Sequence, residues 1–330
     1  MRQAEPARRM EESWREQRAY LQQAIAALGD SPEAEVARQS LREVLPRPME
    51  TSKWQQIKDP GRSFETDHLT LGIDKQSGAI NFLMCKASGQ QWASNTHMLG
   101  QVCYEVFAQS DYERFWTRYI RDNAETRSWA RKDFTKPGIE HAIKAHHSWQ
   151  TRLIAAYEQQ DEEHVSFLLV MTLPEQASIL GAPRTLTLEV IAPRAEPILL
   201  LNLQWTEKQA SRLPEALWCS FQPATTSMQG WSFSKVGTVL SPLEVVSRGN
   251  RTLHAIHQEV RYTGEEGAFQ IETLDAPLMA PGRPSLLDFA DTQPEMSGGI
   301  HFNLYNNVWG TNFPMWYEED ARFRFRLRFL

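Results

Sequence analysis

The chain has 330 residues, 41% of them hydrophobic and 23% charged, a composition that excludes wholesale disorder. Its 35 Lys and Arg against 41 Asp and Glu leave a formal charge of −6, which argues against nucleic acid as a general partner. Cys85, Cys103 and Cys219 are odd in number and far apart, so neither a disulfide framework nor a CxxC zinc site is expected.

No stretch approaches the roughly 18 apolar residues of a membrane span, and no membrane partner is expected. The first residues are charged (Arg2, Glu5, Arg8, Arg9, Glu11, Glu12) and hold no apolar leader core. The expected compartment is therefore cytoplasmic, an upstream leader being the alternative.

Residues 5–28 read as a helix, with Met10, Trp14, Leu21, Ile25 and Leu28 at near-helical spacing. Gly29 stops it. Ser31 is a good N-cap, Pro32 suits the first helical position, and Glu33 and Glu35 complement the dipole of a second helix. Val36, Ala37, Leu41, Val44 and Leu45 mark its apolar face, and Pro46 and Pro48 end it. Two such helices make a hairpin at most, and residues 1–50 form the first expected domain.

From about residue 60 short runs of period-two or β-branched character follow one another, separated by turns such as 75–78, 248–250 and 280–282. Roughly 12–16 antiparallel strands stacked as a large sandwich are expected over residues 51–330. Ser110 to Lys132 is open between a helical excursion and a long loop. In the last strand Phe323, Phe325, Leu327 and Phe329 alternate with Arg322, Arg324, Arg326 and Arg328. The arginine face would hold an anion or pair with acidic neighbours across strands.

No GxSxG elbow, P-loop or HExxH signature is present. His254 and His257 would point to opposite faces of a strand, which disfavours a shared metal, and the adjacent His146 and His147 meet the same objection. The acidic trio Glu318, Glu319 and Asp320 reads as acid–base machinery or as a solvated, ion-paired turn.

The segment 303–317 stands apart. Asn303, Asn306, Asn307, Thr311 and Asn312 are interleaved with Tyr305, Trp309, Trp316 and Tyr317. Amides meet the hydroxyl edge of a sugar and aromatic rings its C–H face. The same residues would also serve a structural loop, with the Asn side chains capping turns and the Trp rings filling the core.

Asn306-Asn-Val-Trp-Gly-Thr-Asn312 resembles the NNxWxTN segment near the end of the β-domains of glycoside hydrolase family 38, the α-mannosidases and their relatives. Three further pieces agree in order: Leu69–Ile80 with the opening of that domain, Gln204–Phe221 with its central stretch, and Leu274–Leu278 with a later turn. The helices around Glu12–Tyr20 look like the tail of the helical domain before the sandwich.

The resemblance implies a short helical hairpin followed by a large antiparallel sandwich of the galactose-mutarotase type. It implies the carbohydrate-facing, non-catalytic half of a glycosidase, folding alone but not hydrolysing glycosides. Asn306, Asn307, Trp309, Thr311 and Asn312 are the implied carbohydrate-binding residues. The family's zinc-binding and nucleophile segments have no counterpart here. No catalytic residue, metal ligand or cofactor is assigned to this chain, and zinc is expected only in an upstream domain. Carbohydrate and that upstream catalytic domain are the expected partners. The two-helix remnant also makes Met1 an unexpected natural start. The alternatives are a stand-alone carbohydrate-binding or scaffold module, or an aldose-epimerase-like enzyme in which His146, His254 or His301 meets a Glu base.

Overall fold

The computed structural model describes residues 5–121, 123–310 and 315–330. The chain divides into two compact units, residues 1–47 and 48–330.

The first unit holds α1 (Glu5–Ala27) and α2 (Pro32–Val44). Their connection turns at Gly29, whose φ of +62° suits a residue without Cβ. Ser31 Oγ accepts the Ala34 N–H at 3.2 Å, so the N-cap expected at Ser31 is in place. Ala34 is buried, while Leu21, Leu28, Val36 and Leu45 are exposed.

The second unit opens with β1 (Gln55–Gln56), β2 (Ser63–Glu65), β3 (Leu69–Ile73), β4 (Ile80–Cys85), β5 (Gln91–Ala93) and β6 (Leu99–Val106). An excursion follows, containing α3 (Gln109–Tyr119), α4 (Ala124–Trp129) and α5 (Ile139–Ala142). The chain returns as β7 (His147–Gln150), β8 (Arg152–Gln160) and β9 (His164–Thr172). After α6 (Glu175–Leu180) come β10 (Thr185–Pro193), β11 (Ile198–Thr206) and β12 (Glu215–Phe221). The last third supplies β13 (Trp231–Lys235), β14 (Thr238–Leu240), β15 (His254–Ala255), β16 (Glu259–Gly264) and β17 (Gly267–Thr273). It ends with β18 (Leu278–Pro281), β19 (Ile300–Asn306) and β20 (Ala321–Phe329).

These strands make two antiparallel sheets of ten. The first runs β1-β8-β9-β10-β11-β20-β17-β16-β13-β14; the second runs β15-β18-β19-β12-β6-β4-β3-β2, with β5 on β4 and β7 on β6. The mainly β, two-sheet sandwich is the expected fold class. Twenty strands among the described residues exceed the expected number because short pieces such as β1, β5 and β15 carry too few residues to show a period.

The core lies between the sheets. Phe325 of β20 meets Phe221 and Phe302 of the second sheet at 5.2 Å between ring centroids, and Phe64 meets Phe167 at 4.8 Å. Burying each such ring contributes about 2 kcal/mol. Gly100, at φ +74°, lets β6 approach Leu188 and Leu201; a Cβ there would stand 3.3 and 3.4 Å from their methyls. The arginines of β20 pair along the sheet: Arg324 grips Asp275 twice at 2.9 Å, Arg326 meets Glu272 at 3.1 Å, and Arg328 meets Glu196 at 3.4 Å. Glu272 is the direct cross-strand neighbour of Arg326. Arg322 donates to Asn202 Oδ1 at 2.7 Å.

The stretch from Ser110 to Lys132 carries α3 and α4, and the excursion from β6 to β7 is tied to the segment after β19. Tyr112 donates its O–H to the Val308 carbonyl. Trp309 packs on Phe115 and Phe134 at 5.5 and 5.4 Å, and the Gly310 N–H donates to the Asp133 carbonyl at 2.9 Å.

Candidate functional site

Alternation along β6 sends Val102, Tyr104 and Val106 to one face and Gln101, Cys103 and Glu105 to the other. Tyr104 donates to Glu215 Oε2 at 2.7 Å on the sandwich side. Glu105 therefore lies on the outer face of the second sheet. There Trp218 of β12 donates its indole N–H to Glu105 Oε2 at 2.9 Å. Register extends the row: Glu105 pairs with Ala216, and Ala216 with Asn306. Asn306 Nδ2 donates to Asn303 Oδ1 at 2.7 Å.

The excursion covers this face and brings three charged groups to it. His146 Nε2 lies 3.8 Å from Glu105 Oε1, and its Nδ1 lies 3.5 Å from Asp111 Oδ2. Asp111 also accepts the Ala108 N–H at 2.8 Å and Arg114 at 2.8 Å. The two carboxylates are buried, whereas the His146 side chain is 39% exposed. Burial pushes the Glu105 carboxyl above the usual range, with His146 and the Trp218 N–H partly offsetting it. Hydrogen bonding to Asp111, then the Glu105 charge, raises His146 despite desolvation. Burial opposes ionisation of Asp111, but His146, the Ala108 N–H and Arg114 outweigh it and hold its carboxyl low. A carboxyl and an imidazole this close can share and pass one proton.

Arg118, one turn beyond Arg114 on α3, meets Asp288 Oδ1 at 2.8 Å, and Arg283 grips Oδ2 of the same carboxylate. Tyr119 stacks on Phe115 at 5.0 Å and lies 5.6 Å from Phe289. These contacts join the end of α3 to residues 283–289.

The expected loop residues divide by role. Asn306 shares the row of Glu105. Asn307 turns inward: its Oδ1 accepts the Glu215 N–H at 2.8 Å and its Nδ2 donates to the Ser211 carbonyl at 2.9 Å. Trp309 packs on the excursion that carries Asp111. Thr311 and Asn312 lie outside the described residues. Beneath Asn307, Lys208 Nζ donates to Glu215 Oε1 at 2.8 Å, and both side chains are 0% exposed.

Of the histidines considered in sequence, only His146 stands beside a Glu in these contacts. His301 is buried with Nδ1 2.7 Å from Ser220 Oγ and Nε2 3.1 Å from the Gly298 carbonyl. His254, on β15, is buried, and His257, on the bend beyond that strand, is exposed. Asp320 accepts the Glu207 N–H at 3.0 Å, tying the entry of β20 to the end of β11. Glu105, Asp111, Asp288 and Arg283 escaped sequence reasoning. The one signal for Glu105 was an acid on the polar side of an alternating strand. Among the described residues no group of three His, Cys, Asp or Glu side chains is arranged to hold a metal ion. Burial pushes the Cys103 thiol up to about 12, so it is no thiolate at neutral pH.

Among solved structures, an alpha-mannosidase from Enterococcus faecalis V583 is similar with a TM-score of 0.53 and 10% identity, over 84% of this chain and 30% of that one. A protein in the glycosyl hydrolase family 38 from Enterococcus faecalis is similar with a TM-score of 0.50 and 9% identity, over 86% of this chain and 32% of that one. A galactose 1-epimerase from Lactobacillus acidophilus NCFM is matched with a TM-score of 0.44 and 9% identity, over 87% of this chain and 97% of that one. The chain thus spans about a third of the length of the two hydrolase structures, with which it shares a fold. No curated protein matches the chain. Residues 2–200 match the family described as "Domain of unknown function (DUF5054)", and since that is more than half of the 330 residues, the chain belongs to this family.

Proposed function

We propose that this chain is the carbohydrate-facing sandwich region of a family-38-like glycoside hydrolase, non-catalytic for hydrolysis, with the 306–312 loop helping to shape a sugar cleft. The observation that supports it is the tie between that loop and the polar face. Asn306 shares a strand row with Glu105, and Trp309 packs on Phe115 of α3, the helix that holds His146 through Asp111. The fold shared with the Enterococcus alpha-mannosidase agrees with this reading. A ligand that binds only the native state raises the melting temperature. A panel of neutral oligosaccharides, α-mannosides included, is expected to raise that of the wild type and not that of Asn306→Ala or Trp309→Ala. Binding untouched in both variants would remove the loop from the cleft, and no shift with any saccharide would overturn the reading.

A second reading is favoured by one distance, the 3.8 Å between His146 and Glu105. Such a pair could protonate a ring oxygen and take the anomeric hydroxyl proton of an aldose. Polarimetry of aldose mutarotation separates the two: catalysis lost in both His146→Gln and Glu105→Gln supports an enzyme, and a rate equal to buffer leaves the binding role alone.

A further inference from the structure

The arginines around Asp288 outnumber what that carboxylate needs. Asp288 Oδ1 accepts from Arg118 at 2.8 Å and from the Phe289 N–H at 2.9 Å, and Oδ2 accepts from Arg283. One buried carboxylate so holds two guanidiniums and a backbone donor. Both arginines remain outward, with side chains 51% and 71% exposed, and each guanidinium carries five N–H donors. The neighbouring pairs do not cancel the surplus. Asp111 is matched by Arg114, and Glu105 stands between His146 and the field of Arg283. Arg118 and Arg283 thus carry one positive charge beyond what Asp288 matches, on a chain whose formal charge is −6.

A flat apolar surface lies beside these donors. Tyr119, next in sequence to Arg118, is half exposed and rests against Phe289, next in sequence to Asp288. The same two segments therefore present a guanidinium pair and an aromatic face side by side. Carboxylates are bound best by guanidiniums already fixed in place, and sugar C–H faces by exposed rings.

We propose that the His146 face takes an acidic saccharide of the hexuronate class, its carboxylate held by Arg118 and Arg283 and its ring laid against Tyr119. This rests on the reading that the face handles carbohydrate, and it names the class of sugar. Asp288 brings one negative charge to two guanidiniums, and a ligand carboxylate would balance the second.

Calorimetric titration of the whole chain at low salt tests it, with galacturonate and glucuronate against galactose and glucose, and with acetate and phosphate as bare anions. A uronate is expected to bind about tenfold more tightly than its neutral parent, the worth of one charge-assisted hydrogen bond. Arg118→Gln and Arg283→Gln should each remove that advantage with only a small fall in melting temperature, since Asp288 keeps the other arginine and the Phe289 N–H in each. Neutral sugars binding as tightly as uronates would overturn the acidic class and leave the carbohydrate reading standing. Acetate or phosphate binding as tightly as a uronate would make this an anion site without a sugar. Absence of uronate binding at millimolar concentration, with neutral oligosaccharides still bound, overturns the inference alone; absence of every saccharide overturns both.

Discussion

The imidazole of His146 stands 3.8 Å from the carboxylate of Glu105, although one residue ends a 40-residue excursion and the other lies on the strand before it. Asp111, at the start of that excursion, fixes the other ring nitrogen at 3.5 Å. The imidazole is therefore bracketed by two carboxylates, one held ionised and one pushed toward its neutral form.

This bracket carries a pH signature. The folded-state pKa of His146 is raised, chiefly by Asp111, above the ordinary value of about 6.5. A raised histidine stabilises fully below the unfolded value, and the contribution fades as pH rises through the folded value. His146→Gln should therefore lower the urea midpoint near pH 5.5 more than near pH 8.5. Solvent screening of the partly exposed ring keeps the effect modest. An equal gap at both pH values would contradict the bracket.

Much of the fold was legible because one face of each sheet is buried. Period-two alternation marked β20 down to its Phe and Arg faces, and the turn chemistry of Gly29, Ser31 and Pro32 marked the helix boundary. The stretch from Ser110 to Lys132 stayed open because its aromatics serve two distant partners, the loop at 308–310 and Phe289. The site was less legible still. His146 was named without a partner, since nothing in the spacing between residues 105, 111 and 146 encodes their meeting. Asn307 read equally well as a sugar ligand or a cap; its hydrogen bonds run to Glu215, Ser211 and Met315, all inside the protein.

The Lys208–Glu215 pair makes a prediction about stability. Both side chains are wholly buried, and Tyr104, Tyr305 and Asn307 also donate to the carboxylate. Lys208→Met leaves that carboxylate without its counter-charge and should cost about 3–5 kcal/mol. Burial already raises Glu215, and losing Lys208 raises it further. The loss should then grow as pH climbs above the ordinary carboxylate range. Adding Glu215→Leu to Lys208→Met should recover part of the cost. A double-mutant cycle by urea denaturation checks this, and additive single costs would mean the pair is not coupled.

Trp309 predicts how far the loop supports the excursion. Its ring packs on Phe115 and Phe134, and Tyr112 and Asp133 reach the adjoining backbone. Trp309→Ala should cost about 2–4 kcal/mol, less for Trp309→Phe. Because α3 carries Asp111, hydrogen exchange should speed up in α3 in the alanine variant and stay unchanged in β9 and β10. Uniform acceleration across both sheets would show that the loop serves the core rather than the site.

His301 runs opposite in sign to His146, although both stand at the second sheet. Burial, only partly opposed by the Gly282 and Gly298 backbone, holds His301 down to about 4. Burial does the same to His254, also to about 4, with Lys235 adding to it. A neutral buried imidazole binds its proton less readily than it would in the unfolded chain. Stability is therefore full above about pH 6.5 and falls as pH drops toward the folded value. For a depression of this size the loss is about 3 kcal/mol per histidine. His146 cannot compensate, because its own contribution is already complete below its unfolded pKa. The wild type should thus lose stability steeply between about pH 6.5 and pH 4, and His301→Gln should flatten that slope by about one proton. Guanidinium unfolding across that range measures it. An unchanged slope in the variant would mean that His301 takes up its proton in the folded sandwich as readily as in the open chain.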